Sequence, residues 1–287
     1  MWNKVWGKTL RSQMIRYNIL IICIIDIFIN VCAYMSSSRK IMEVAHASLE
    51  HHVESISNQY QMAYHEMLNI TLNCTEREVI NLDTLNGMNT SKTKHRGLEY
   101  AQIIRDYCSI TEYGKYISKL IIFDNRGNMV QAGSLFGSND DMERVSTADW
   151  LEEECEKPME MYRLQLVEAP FFQQDGKILP IARKISRRQN TSSVYTVLCL
   201  SASLFRDVLQ ENDSEHEILV ATGSGQKIAS VGELEEDAAE NDALITEILN
   251  KGIDKGIDTM KVHGRKCLVA YEIYAPSGIL VCEIMPL

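Results

Sequence analysis

The sequence predicts an α+β protein with an N-terminal transmembrane helix, a long stalk helix and two stacked antiparallel sheets. Three observations carry that prediction. An apolar run, Tyr17–Tyr34, follows a purely basic leader. Apolar side chains then recur every three and four residues from Ser36 to about Ile80, with no Pro or Gly. After Tyr116 the period changes to two, and the new pattern is laid out twice around Gly-containing turns.

The apolar run contains Asp26 as its one formal charge. About eighteen to twenty residues span a hydrocarbon core of roughly 30 Å. Lys4, Lys8, Arg11 and Arg16 precede the run without an acidic residue among them, so the positive-inside rule keeps residues 1–16 cytoplasmic and sends the chain after Met35 outside. A cleaved signal peptide and a buried core helix are the competing readings. The run is longer than a usual signal core, and Tyr34-Met35-Ser36 is a poor cleavage site. A core helix rarely follows such a leader. The preferred reading is an uncleaved anchor over 17–35, with Asp26 either protonated or facing a partner helix.

In residues 36–80, Ile41, Ala45, Leu49, Val53, Ile56, Tyr60, Ala63, Met67, Ile70 and Cys74 form one narrow stripe, the mark of a helix packed along a domain and against a twin. Asn81–His95 is polar and reads as a loop, and Gly97 to about Tyr113 as a returning helix. Tyr116–Phe123 and Met129–Ala132 read as a hairpin about Asp124–Asn128. A short helix is expected near Thr147–Cys155, strands at Tyr162–Glu168, Ile178–Ile185 and Val194–Ser201, and a helix at Ser203–Glu211. The second set comprises strands at Glu217–Thr222 and Lys227–Val231 about Gly223-Ser224-Gly225, a helix at Asp242–Lys251, and strands at Thr259–His263, Lys266–Ile273 and Gly278–Met285. The expected boundaries are therefore 81–212 for a membrane-distal subdomain and 213–287 for a membrane-proximal one.

The net charge is −10 although the leader is basic, so the outer part is strongly acidic. That argues against nucleic acid and against an anionic lipid surface as partners of the outer domain. The eight cysteines include no C-x-x-C. Buried free thiols are the main expectation, with Cys74–Cys108 and Cys267–Cys282 the pairs to test.

Catalytic and metal constellations do not emerge from the sequence. His65-Glu66-Met67-Leu68-Asn69 begins like a zincin helix but ends in Asn. His46 and Glu50 lie one turn apart, and His51-His52 is adjacent, yet a solvated helix face explains them more simply. Glu233–Glu240 reads first as a solvated acidic face. No cofactor is implied, and no enzyme activity.

The order of parts resembles the double Cache sensor domain. The segments that carry the resemblance are YISKLIIFDNRGNMVQAG, ADWLEEECEK, ILPIARKI, SSVYTVLCLSASLFRDVL, EILVATGSGQKIAS and KCLVAYEIYAPSGILVCEIM. The leader LRSQMIRYNILIICIIDIFI is similar to the start of YesM-type membrane sensor histidine kinases. The resemblance implies PAS-like (Cache) sheets and a small-molecule ligand at the distal sheet. By position it points to Trp150, Tyr162, Phe171, Phe172 and Arg183 as pocket residues, suited to an anionic or zwitterionic solute. Of the Arg-x-Trp-Tyr run used by amino-acid-binding members, Thr147-Ala148-Asp149-Trp150-Leu151 keeps only the Trp.

The resemblance also implies a homodimer through the long helix and anchor, a cell-membrane location, and a two-component kinase beyond a second span. The sequence stops at Leu287 before such a span, so the expectation is a receptor fragment or a receptor without its output. The alternative is a membrane-anchored adaptor that assembles through the long helix without sensing a ligand.

Overall fold

The computed structural model describes residues 3–76, 102, 104–106, 108–125, 129–133, 145–156, 164–168, 177–186, 193–212, 216–232 and 238–287. The chain divides into two compact units, Met1–Leu49 and Glu50–Leu287.

The first unit is helical from Asn3, within helix α1 (Asn3–Glu76). Residues 14–35 are all exposed, and α1 is the one helix among the described residues long and apolar enough to cross a membrane. Asp26 is not left bare. The Asn30 amide, one turn on, donates to the Asp26 carbonyl at 2.8 Å and to its carboxylate at 3.3 Å.

In the second unit, α1 buries Val53, Ile56, Tyr60, Ala63, Met67 and Ile70. Alternating steps of three and four keep these side chains on one face. Polar groups on and beside that stripe reach the second sheet and the helix at Ser203–Glu211. Ser57 donates to Glu272 at 3.0 Å, His65 meets the Tyr274 hydroxyl at 2.7 Å, and Tyr60 donates to the Phe205 carbonyl at 2.8 Å. Residues 102, 104–106 and 108–110 are helical, as expected for the return segment. The loop expected at Asn81–His95 lies outside the described residues.

The first sheet, which carries the strands of the segment expected to be distal and keeps that label below as the second keeps proximal, has the order β2-β1-β5-β4-β3. It is built from β1 (Ile117–Asp124), β2 (Met129–Gly133), β3 (Val167–Glu168), β4 (Lys177–Ser186) and β5 (Ser193–Leu200), all antiparallel. Helix α2 (Asp149–Glu156) covers one face, and helix α3 (Ser203–Glu211) follows β5. β3 is two residues long where the sequence predicts a strand from Tyr162. Upstream of it, the Leu164 amide donates to the Ser277 carbonyl and the Leu166 amide to the Gln226 side chain, so residues 164–166 bond to turns of the other sheet and not to a ladder.

The proximal sheet repeats the plan in the order β7-β6-β10-β9-β8. It comprises β6 (Glu217–Ala221), β7 (Lys227–Val231), β8 (Lys255–Val262), β9 (Arg265–Tyr274) and β10 (Ile279–Pro286), with α4 (Ala238–Asn250) between β7 and β8. Leu219, Val269, Tyr271, Leu280 and Cys282 pack under Leu244, Ile245 and Ile248 of α4. The alternate residues of β9 and β10, among them Glu272, Tyr274 and Glu283, carry the bonds to α1.

The proposed Cys267–Cys282 bridge is not formed, and Cys108 is likewise a free thiol. Cys282 stands opposite Tyr271 and Cys267 opposite Pro286, four residues out of register on neighbouring strands. Burial pushes the Cys199 and Cys282 thiols up to about 12. The thiolate is the reactive form, so iodoacetamide at pH 8 is expected to leave Cys199 and Cys282 unmodified in the native chain and to label both after unfolding. Peptide mass spectrometry reads this directly, and native labelling of either residue would count against the packing described.

Candidate ligand-binding face

Strand parity decides which side chains share a surface. On the distal sheet, Ile121, Phe123, Ile178, Ala182, Val197 and Cys199 form one buried layer with Val145 and Leu151, and Met129, Trp150, Cys155, Val167 and Tyr195 pack against it. Trp150 therefore lies at the border between α2 and the sheet. Its neighbours are apolar, and Phe123 stacks on Tyr195 with ring centroids 5.1 Å apart.

Arg183 does not join this layer. It is buried at 6% exposure, but its odd-numbered position puts it on the opposite face from Ile178, Ala182 and Lys184. Lys184 is the β4 cation on the Trp150 side, with its ammonium 5.4 Å above the Tyr195 ring. Trp150 and Arg183 thus do not line one common surface. Tyr162, Phe171 and Phe172 lie outside the described residues.

Two charged residues outside the predicted set lie in the layer. Lys119 shares the parity of Ile121 and Phe123, pairs with Cys199 in register, and is 0% exposed. Its charge is felt at Cys199, where it opposes the upward push of burial on the thiol. Glu154 is 3% exposed, on the face of α2 that also carries Leu151 and Cys155. Gln131 of β2 pairs with Ile121 and points the same way. The signal was present in the sequence. A lysine stands at an inward-facing position of YISKLIIF, where the flanking strand residues are apolar.

Other hollows are lined differently. One of about 590 Å³ is bounded by Arg105, Cys108, Thr111, Lys115, Ile117 and Gly133. Another of about 390 Å³ lies among Gln59, Glu66, Tyr113, Tyr116 and Glu211. Neither contains a residue of the Trp150 layer. Among the described residues, no group of three His, Cys, Asp or Glu side chains is placed to hold a metal ion.

No protein-family model and no curated protein matches the sequence. Solved structures do match its fold. The extracellular domain of the candidate histidine kinase rpHK1S-Z16 aligns with a TM-score of 0.60 at 12% identity, over 86% of this chain and 96% of that one. The ligand-binding domain of the Campylobacter jejuni chemoreceptor Tlp3 in complex with L-valine aligns at 0.58 and 10% identity, over 83% and 91%. That of the Pseudomonas fluorescens chemoreceptor CtaA in complex with L-isoleucine aligns at 0.51 and 12% identity, over 83% and 91%. The fold is that of double Cache extracellular sensor domains.

Proposed function

We propose that this chain is the extracytoplasmic sensing and signal-transducing region of a bacterial membrane receptor, the sensor part of a two-component histidine kinase. Residues 17–35 anchor it, the N-terminus is cytoplasmic, and a twin copy pairs through the long helix. Its role is binding and transmission, not catalysis.

The carrying observation is a fully buried cation, Lys119, in the same layer as Trp150 and the buried carboxylate of Glu154. A cation and a carboxylate held in an apolar setting complement the two charges of a zwitterion, as an apolar pocket with a few placed polar groups should. Tlp3 and CtaA are seen with amino acids of that kind. In this reading a solute is taken up at the face covered by α2. It favours one arrangement of the sheets and of the helix bonded to them, so the population shifts by the difference in affinity.

The test is a thermal-shift screen of the full chain in nanodiscs against free amino acids and small carboxylates. A ligand present at a hundred times its Kd stabilises by about 2.7 kcal/mol. For a region of this size that corresponds to a rise of roughly 5–10 °C. Lys119→Met keeps the length of the side chain and removes the charge, and is expected to abolish the rise. A panel without a hit, or a Lys119→Met variant that responds like the parent, rules this reading out.

A further inference from the structure

Glu283 lies on β10, in the middle of the proximal sheet, and is 1% exposed. One carboxylate oxygen is 2.7 Å from His52 Nδ1 on α1, and the other is 2.9 Å from His216 Nδ1, just ahead of β6. The imidazole side chains are 27% and 34% exposed, so protons reach them from solvent while the carboxylate stays shielded. One buried acid thus bridges the long helix to the start of the proximal sheet through two titratable rings.

The surrounding charges are acidic in sum. Facing the same helix–sheet boundary are Glu50 and Glu54 on α1 and Glu272 on β9, against Lys255 on β8, whose ammonium is 3.2 Å from Glu50 and 3.3 Å from Glu54. Glu217 of β6 turns to the opposite face, 3.7 Å from His263. Positive charge added at His52 and His216 therefore enters a region with a surplus of carboxylates.

We propose that His52, Glu283 and His216 form a pH-responsive clasp, which grips the long helix to the proximal sheet more tightly as the two imidazoles gain protons. Imidazole is the side chain whose charge changes between about pH 5 and 8. Neutral, each ring still donates Nδ1–H to Glu283. Protonated, each ring places a full positive charge beside the shielded carboxylate, and the hydrogen bond becomes an ion pair with an added Coulombic attraction. The clasp is thus strong in acid and loosens, without opening, as the pH rises. It acts on the helix directly and does not depend on a ligand at the distal face.

The experiment compares melting of the full chain in nanodiscs at pH 5.5 and pH 8.0 with that of a His52→Gln/His216→Gln double variant. Gln retains a donor without titrating, and every other titrating group is common to the two proteins. The stability gained on acidification is expected to be larger in the parent by about 2–4 °C. Hydrogen exchange, corrected for intrinsic rates, should place the extra protection in residues 50–60. Glu283→Gln supplies a second arm. It removes the charge the imidazoles answer to, and its melting should show the double variant's pH response. Equal pH responses in parent and double variant overturn the proposal, as does a parent whose helix is better protected at pH 8.0.

Discussion

Tyr60→Ala lowers the stability of the folded region by about 4 kcal/mol, the range of a buried aromatic cut back to a methyl group. Tyr60 is 3% exposed, its ring centroid lies 4.8 Å from that of Phe205, and its hydroxyl donates to the Phe205 carbonyl. Burial also pushes the phenol well above its ordinary range, so it stays a donor at any physiological pH. Tyr60→Phe separates the two contributions. It keeps the ring and removes one hydrogen bond, at a cost of about 1 kcal/mol. A double-mutant cycle with Phe205→Ala should return a coupling of about 0.5–1.5 kcal/mol, the worth of the aromatic pair beyond its burial. Chemical denaturation reads all three. A Tyr60→Ala loss below about 1.5 kcal/mol would mean that the helix is not held where this contact places it.

Much of this arrangement could be read from residue spacing. Of the predicted stripe, Val53, Ile56, Tyr60, Ala63, Met67 and Ile70 are buried, because a helix with one apolar face packs that face on its domain, whereas Ile41 at the start of the stripe is exposed. Ser203–Glu211 is helical over the predicted residues, and β6 and β7 flank the predicted Gly223-Ser224-Gly225 turn. β1 and β5 are legible as short runs rich in β-branched and aromatic residues, and both are buried along nearly their whole length.

The departures have physical causes. β8 begins at Lys255, four residues ahead of expectation, because an edge strand half open to solvent can carry Lys, Gly and Asp without losing its ladder to β9. α4 begins at Ala238, inside the stretch read as an acidic surface, because acidic residues suit the first turn of a helix. The candidate site was less legible than the fold. Trp150 is visible as an aromatic beside a short helix, but the parity of β4 turns Arg183 to the other face. Lys119 is inconspicuous in the sequence because a strand pattern absorbs one polar residue easily. The Glu283 clasp joins positions 231 and 67 residues apart, a juxtaposition that only the packing of α1 on the sheet creates.

Gly133→Val is expected to strike fold and site together. Gly133 ends β2 with φ +137°, a conformation that residues with a Cβ rarely adopt. An added Cβ would lie 2.4 Å from the Ser118 carbonyl oxygen and 2.8 Å from the Lys119 Cα. Both are backbone atoms of β1, so no side chain can swing aside, and β2 must part from β1 at the Lys119–Gly133 pair. Backbone strain of about 1–3 kcal/mol and overpacking of about 1–3 kcal/mol together give a loss of roughly 3 kcal/mol or more. Gly252 is the control. Its φ is +63° with nothing within 4 Å of an added Cβ, so Gly252→Ala meets strain alone and should cost about 1 kcal/mol. The two substitutions also differ in kind. Displacing the backbone at Lys119 moves the buried ammonium, so whatever folded Gly133→Val protein remains should lose the thermal response to ligand, whereas Gly252→Ala protein should keep it in full. A Gly133→Val variant that binds as the parent does would separate Lys119 from ligand recognition, even if its stability fell as expected.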